Sequence, residues 1–572
     1  MPKSPSPIVI VLFLAAALLA GCATPPERSA ATTDSGRPLT AAASAYDVAH
    51  YTLRNDIDPV AQSIAGSLAV TVDARAPMAV LELDFDGLFT IDAVRDEGGA
   101  LEFRQDPAKL LINLRTPLDT GETDTVTIAY HGKPRVAPKA PWDGGFVWAT
   151  TPGGKPWIAT AVQGEGCDLW FPCKDHPSGE PRSMDLYFTV PDGLTAVSNG
   201  VLVDVTDGPG GRQTFHWRTT NPINTYGIAL NVAPYVLIER DYTSVNGVTF
   251  PVQFWAIEDH EEDARVLFDA EFFDVIAFFE RKLGPYPWSN EKLGVAETPH
   301  LGMEHQTVNA YGNEFRRGTH GFDWLFHHEL AHEWFGNVMT HTTVSDMWLH
   351  EGFGAFMQPE YAREVIGDAA FHAALYQSYL GIKACNAIAP REEFSADELY
   401  FDDVEGKGPA GDIYSKGTWV LQSLRYVIGE EAFWRSVRRL LYGTANPETL
   451  QPPIEPRLRS TDDFLRIVSD EAGHDLGWFF DVYVRRGPLP VLELRQDGDD
   501  VVLEWTNTGD QPFPMPVPVR MNGSIERVTF DGNSARLDGV SATDLQVDPY
   551  LRILRKLPIV PTCEERREEE KG

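Results

Sequence analysis

The chain has 572 residues, 43% of them hydrophobic and 23% charged, with a formal net charge of -35. That length is too great for one core and predicts about three domains. The composition excludes a disordered chain and a multispanning membrane protein, and the acidic balance excludes a basic nucleic-acid-binding surface.

The first stretch in chain order is not part of the fold. Lys3 precedes an apolar run from Ile8 to Ala20, the length of a signal-peptide core and short for a bilayer span. The run ends in LAGC, Leu19 to Cys22, which resembles the lipobox of bacterial lipoproteins. The resemblance implies a signal peptide over 1–21, acylation of Cys22, and export to the bacterial cell envelope with the protein held to a membrane by lipid. Residues 22–45, rich in Ala, Ser, Thr and Pro, read as a flexible tether. Cys167, Cys173, Cys385 and Cys563 remain; four cysteines allow three pairings, and free buried thiols stay open beside them.

From 46 to 245 the pattern has period two. Leu81, Leu83 and Phe85 alternate with Glu82 and Asp84, and Val126, Ile128 and Tyr130 repeat the alternation. Gly- and Pro-rich turns punctuate it, so this part reads as a large antiparallel β domain. The texture changes near 260, where EEDARVLFDAEFFDVIAFFERKLG is acidic at its start, basic at its end and stopped by Gly284-Pro285, a helix signature. Helical segments dominate to about 487, giving a second domain over 246–487. Alternation returns in Val501, Leu503 and Trp505, marking a small β domain over 488–556, and 557–572 is a charged tail.

The chemistry sits in HHELAHEWFGN, His327 to Asn337. Residues four apart share a helix face, so His328 and His332 form a pair, with Glu329 beside them. This is H-E-x-x-H: two imidazoles for zinc and a carboxylate to act as base. His327 points about 100° away from His328 and reads as a packed residue. Asp323 is a candidate helix start and Gly336-Asn337 a stop. Zinc needs a third ligand and an open position. Phe335 and Val338 break the metzincin pattern. His341, His350 and Glu351 are the downstream candidates.

HELAHEWFGN, followed after eighteen residues by Glu351 within WLHEGF, resembles the zinc aminopeptidases of the alanyl aminopeptidase and leukotriene-hydrolase family. The resemblance implies His328, His332 and Glu351 as ligands of one zinc ion, Glu329 as base and Asp346 as a support behind a ligand. His350 stands where the family has Asn. LGMEH, Leu301 to His305, resembles the family's G-x-M-E-N motif, keeping Gly302, Met303 and Glu304 and changing the last residue to His305. It implies that Glu304 holds the substrate's α-ammonium while backbone around Gly302 and Met303 pairs with the peptide. QGEGCDLWFPCKDHP places Gln163 as a second amine-binding residue, and YSKG places Tyr414 as the donor to the developing oxyanion.

The implied architecture is multidomain α+β: an N-terminal antiparallel β saddle, a thermolysin-like α/β catalytic domain and a small C-terminal β domain. Longer family members carry a large helical domain for which this chain has no room, so the cleft is expected to be more open. The implied activity is zinc-dependent removal of N-terminal residues from peptides with a free amine, with no nucleic-acid partner. Two other readings stand beside it: a catalytically weak peptide-binding lipoprotein, and a side activity of the epoxide-hydrolase type.

Overall fold

The computed structural model describes residues 35–400 and 407–559, with Pro561, Cys563 and Glu565. Cys22, the signal stretch and most of the charged tail lie outside the described residues.

Alternation builds the first domain. In strand β1 (Tyr46–Asp58), Tyr51, Leu53, Asn55 and Ile57 are buried while Arg54, Asp56 and Asp58 are exposed. β1 lies inside an eight-stranded sheet. It pairs antiparallel with β2 (Ser63–Ala74) and parallel with β3 (Met184–Pro191), so the sheet is not wholly antiparallel. A period-two pattern tells which face is buried, not which way the neighbour runs. The sheet closes with a four-stranded and a three-stranded sheet on one core, which holds Phe188, Trp170 and Trp217.

Strand β4 (Tyr235–Thr243) falls within 46–245, yet it pairs with β5 (Thr249–Ile257) in the sheet of the next domain. Alternation marks a strand without naming the sheet it joins. That sheet continues through β6 (Leu293–Glu297), β8 (Asn309–Tyr311) and β7 (Gly302–Met303), with β7 at the edge, antiparallel to β8. An edge strand keeps one row of backbone donors and acceptors free for another chain.

Six helices matter for the site. α1 (261–283) passes through a π-helical turn at Phe268–Phe272 and ends at Gly284, whose φ of 125° suits glycine. α2 (Trp324–Ala331) and α3 (Trp348–Val365) follow, then α4 (Asp368–Leu380), α5 (Ala396–Tyr400) and α6 (Asp412–Ile428). α3 and α6 cross at two glycines: a Cβ on Gly417 would stand 2.9 Å from the Cα of Gly352. The backbones therefore approach more closely than any larger side chain permits.

The last two small sheets, spanning Val491 to Val547, share one core with these helices through Leu503, Trp505, Phe513 and Val517. Disulfides join Cys167 to Cys173 and Cys385 to Cys563, which decides the pairing that the spacing left open. The end of the stretch read as a tether is seated on both domains. Ser35 and Gly36 are buried, Ala396 N donates to Ser35 O at 3.1 Å, and Gly36 lies against Val344. Thr40 Oγ1 donates to Glu82 at 3.0 Å on the first domain. No helix among the described residues is long and apolar enough to cross a membrane.

Candidate active site

Asp323 caps α2: its Oδ1 accepts from Leu325 N at 3.0 Å and Phe326 N at 3.1 Å. The helix ends at Ala331 with His332 as its C-cap, so the expected start holds and the regular turns stop before Gly336. His328 and His332 face one way, their Nε2 atoms 3.2 Å apart. Glu351, in the first turn of α3, brings Oε2 to 3.6 Å from His328 Nε2 and 3.5 Å from His332 Nε2. His327 points elsewhere and is buried among Phe278, Phe279, Phe322 and Tyr361.

These three groups fit a zinc ion. Tetrahedral bonds of about 2.0–2.2 Å put donor atoms about 3.4 Å apart, close to the spacing seen. Glu351 Oε2 is buried and accepts no hydrogen bond, while its Oε1 accepts from Tyr400 OH at 3.1 Å. His332 Nδ1 donates to Phe335 O at 2.8 Å, which leaves its Nε2 lone pair for a cation. Among the described residues this is the one cluster of three His, Cys or acidic groups with metal spacing. Burial raises Glu351, but the facing imidazoles outweigh it and hold the carboxyl well below its ordinary range. Burial lowers His332, yet Glu351, Glu304 and Glu329 carry it up to about 10. Such a field, in a cleft without lysine or arginine among its described lining residues, favours a bound cation.

The cleft measures about 450 Å³, and Gln163, Glu304, Glu329 and Tyr414 line it with the three groups above. Gly302 packs directly on α2: a Cβ there would fall 2.3 Å from Glu329 Oε1 and 2.6 Å from Leu325 Cδ1. The glycine is thus required for β7 to lie against the HExxH helix. Met303 beside it is buried and packs with Ala161 and Ala310. Burial, with Glu304 and Glu351 nearby, pushes Glu329 well above the carboxylate range. Burial likewise raises Glu304. Glu304 Oε1 accepts from Gln163 Nε2 at 2.5 Å and from Tyr226 OH at 2.9 Å. Tyr414 stands across from His328, ring centres 6.2 Å apart, because the Gly352–Gly417 crossing seats α6 close to α3.

Asp346, read from sequence as a support behind a ligand, does not line the cleft, and neither do the other ligand candidates His341 and His350. Asp346 Oδ1 accepts from Thr461 N at 3.0 Å and Thr461 Oγ1 at 2.6 Å, which ties it to the start of another helix. An acidic residue in a helix-opening turn meets whichever donor the fold brings, and sequence spacing does not show that donor. His350 is buried and accepts from His341 N at 3.0 Å, so the departure from Asn stabilises the strand Met339–His341 instead of binding a cation. Sequence reasoning missed Tyr226, Tyr400 and Asn337, which donates to Glu304 O at 3.1 Å. It also missed Glu333, buried under Thr307 N, Asn309 and Asn337, which pins the turn after Glu304 to α2. In sequence Asn337 reads only as a helix stop, and nothing local marks the others.

Fold and site together define a class: an HExxH helix with a downstream glutamate, set in a cleft where a β domain meets a mainly helical one. Residues 48–226 match the "Peptidase M1 N-terminal domain" and residues 275–483 the "Peptidase family M1 domain". The chain belongs to peptidase family M1. It is 25% identical over 358 residues to "Aminopeptidase 2, mitochondrial" of Saccharomyces cerevisiae, covering 58% of this chain and 34% of that protein. It is 26% identical over 289 residues to "Aminopeptidase B" of Homo sapiens, covering 48% and 41%. The chain thus spans less than half the length of these two relatives. An M1 zinc metallopeptidase from Deinococcus radiodurans has a similar fold, with a TM-score of 0.62 at 24% identity, over 78% of this chain and 95% of that one.

Proposed function

We propose that the protein is a zinc-dependent aminopeptidase that removes N-terminal residues from peptides. One observation carries this reading: Glu304, fixed by Gln163 and Tyr226, shares a cleft with the His328–His332–Glu351 group. A buried carboxylate at a set distance from a metal site suits a substrate that begins with an ammonium. The relatives named as aminopeptidases support the same activity.

His328, His332 and Glu351 would hold the zinc. Zinc in such a site supplies a Lewis acid and lowers the pKa of water to about 7. Glu329, beside the metal-binding group and with Gly302 leaving room for its carboxyl, takes a proton from the attacking water and passes it to the leaving amine. Tyr414 donates its phenolic proton as a hydrogen bond to the oxyanion of the attacked carbonyl. Glu304 and Gln163 hold the α-ammonium, and the free edge of Gly302–Met303 aligns the peptide backbone. With these roles filled in one cleft, nothing favours a merely peptide-binding scaffold.

The test compares a free-amine peptide with its N-acetylated twin. The protein should cleave the first and ignore the second, and Glu304→Ala should narrow the gap by losing about 10- to 100-fold on the first. Equal cleavage of both peptides, or internal cuts, would end the exopeptidase reading.

Export and lipid attachment at Cys22 belong to the same proposal, supported by the apolar run Ile8 to Ala20 and the LAGC that closes it. Mass spectrometry of protein from a bacterial host should find the mature chain starting at an acylated Cys22. An unmodified thiol there would remove the anchor.

A further inference from the structure

Of the fourteen tryptophans in the chain only two are exposed, Trp142 at 45% and Trp324 at 38%. Both line the active-site cleft. An indole left in water forgoes a large burial term, so two in one cleft mark a surface built to meet a ligand.

Each is presented rigidly. Trp142 rides on the turn Lys139 to Asp143, closed by Asp143 N to Lys139 O at 3.0 Å and by an ion pair from Arg135 to Asp143. In the same turn Ala140 packs against the cluster of Ala161, Met303 and Ala310, which Tyr226, a partner of Glu304, also joins. Trp324 is the first residue of α2, directly after the cap Asp323, which Tyr311 OH holds at 2.6 Å.

The helix also fixes the direction of a bound peptide. Beyond its C-terminal end, Asn337 donates to Glu304 O. Nearer its start, Gly302 lies against Glu329 and Leu325. Going from Glu304 back to Gly302 therefore leads toward the N-terminal end of α2, where Trp324 stands. A peptide whose amine sits at Glu304 and whose first carbonyl meets Glu329 continues toward Trp324. Five helical steps lead from Trp324 to Glu329, about 7.5 Å of rise, the span of about two residues of extended chain.

We propose that Trp142 and Trp324 set specificity on the two sides of the scissile bond. Trp142 packs on the side chain of the first residue. Trp324 packs on an apolar or aromatic side chain at the second or third residue, in the leaving peptide. The favoured substrates are short peptides with a large apolar residue at both places. This inference rests on the aminopeptidase reading of the same cleft.

The experiment measures kcat/KM for Phe-Gly-Gly, Ala-Gly-Gly, Leu-Gly-Gly, Leu-Phe-Gly and Leu-Gly-Phe with the zinc-loaded protein, Trp142→Ala and Trp324→Ala. Trp324→Ala should cut the preference for Leu-Phe-Gly or Leu-Gly-Phe over Leu-Gly-Gly by about threefold to tenfold. Trp142→Ala should cut the preference for Phe-Gly-Gly over Ala-Gly-Gly by a similar factor. Either substitution scaling all peptides equally would overturn the inference. Calorimetric binding to zinc-loaded Glu329→Gln protein, with and without each tryptophan substitution, reads the same preferences without turnover. Peptides bound with these preferences but not cut by the parent protein would support the tryptophan assignment and sink the peptidase reading. Peptides cut with preferences that neither substitution moves would overturn the tryptophan assignment alone, and binding of no peptide would overturn both.

Discussion

Glu329 depends on its neighbours on two sides. His328 and His332 hold the metal site beside it, and Gly302 leaves room for its carboxyl group. Glu329→Gln keeps the shape and the three metal-binding groups but removes the proton carrier. Turnover should fall by about 10² to 10⁴ while bound zinc, counted by elemental analysis, stays near one per chain. Near-normal turnover in that variant would move the base elsewhere. The groups at this scale differ in how readable they are. His328, Glu329 and His332 follow from 3.6-residue periodicity, a local rule that needs no fold. Glu351, Glu304 and Tyr414 need the family resemblance, because no local rule links separate segments. Tyr226 and Tyr400 come from segments with no motif around them, and only the folded chain carries their hydroxyls to Glu304 and Glu351.

Helix placement decides where Tyr414 stands. The crossing of α3 and α6 depends on Gly352 and Gly417, whose backbones nearly touch. Gly417→Ala inserts a methyl group 2.9 Å from the Cα of Gly352, on backbone that cannot rotate away. Such overpacking costs about 1–3 kcal/mol and shifts α6 outward. The expected result is a lower thermal midpoint together with a drop in kcat larger than any rise in KM, since Tyr414 acts on the transition state. A variant with full kcat would show that the crossing does not position the phenol. The same scale explains which elements are legible in the sequence. α2 is, because Asp323 caps it by a familiar side-chain bond. The joining of β4 to the second sheet is not, since a strand's alternation is the same in either partner sheet.

Across the whole molecule, buried titrating groups pull stability in opposite directions. Burial holds His176 and His300 down to about 4 and His305 and His341 down to about 3. Burial raises Glu180 and Glu333 to about 7. Depressed imidazoles contribute stability that is present above about 6.5, their unfolded value, and lost as pH falls toward 4 and then 3. Raised carboxyls contribute stability that is present below about 4.5 and lost as pH rises through 7. Glu304 and Glu329, also raised by burial, act in the same sense as these carboxyls, and so does His332 in the metal-free protein. The contribution of a single imidazole is therefore read by difference: the thermal midpoint of metal-free His305→Asn, relative to the parent, should be more favourable at pH 5 than at pH 7. The same difference at both pH values would mean that His305 does not take up a proton on unfolding.

The seat of Ser35 and Gly36 on both domains would set a working radius for the lipid-anchored chain we propose. From Cys22 to Ser35 the chain advances thirteen residues, at most about 45 Å when fully drawn out. With lipid on Cys22, the leash would be fastened at the protein's waist, by Val344 and Ala396, and not at one extremity. The cleft would then never drift far from the bilayer. Peptides arriving along that surface would meet it more often than peptides free in the bulk.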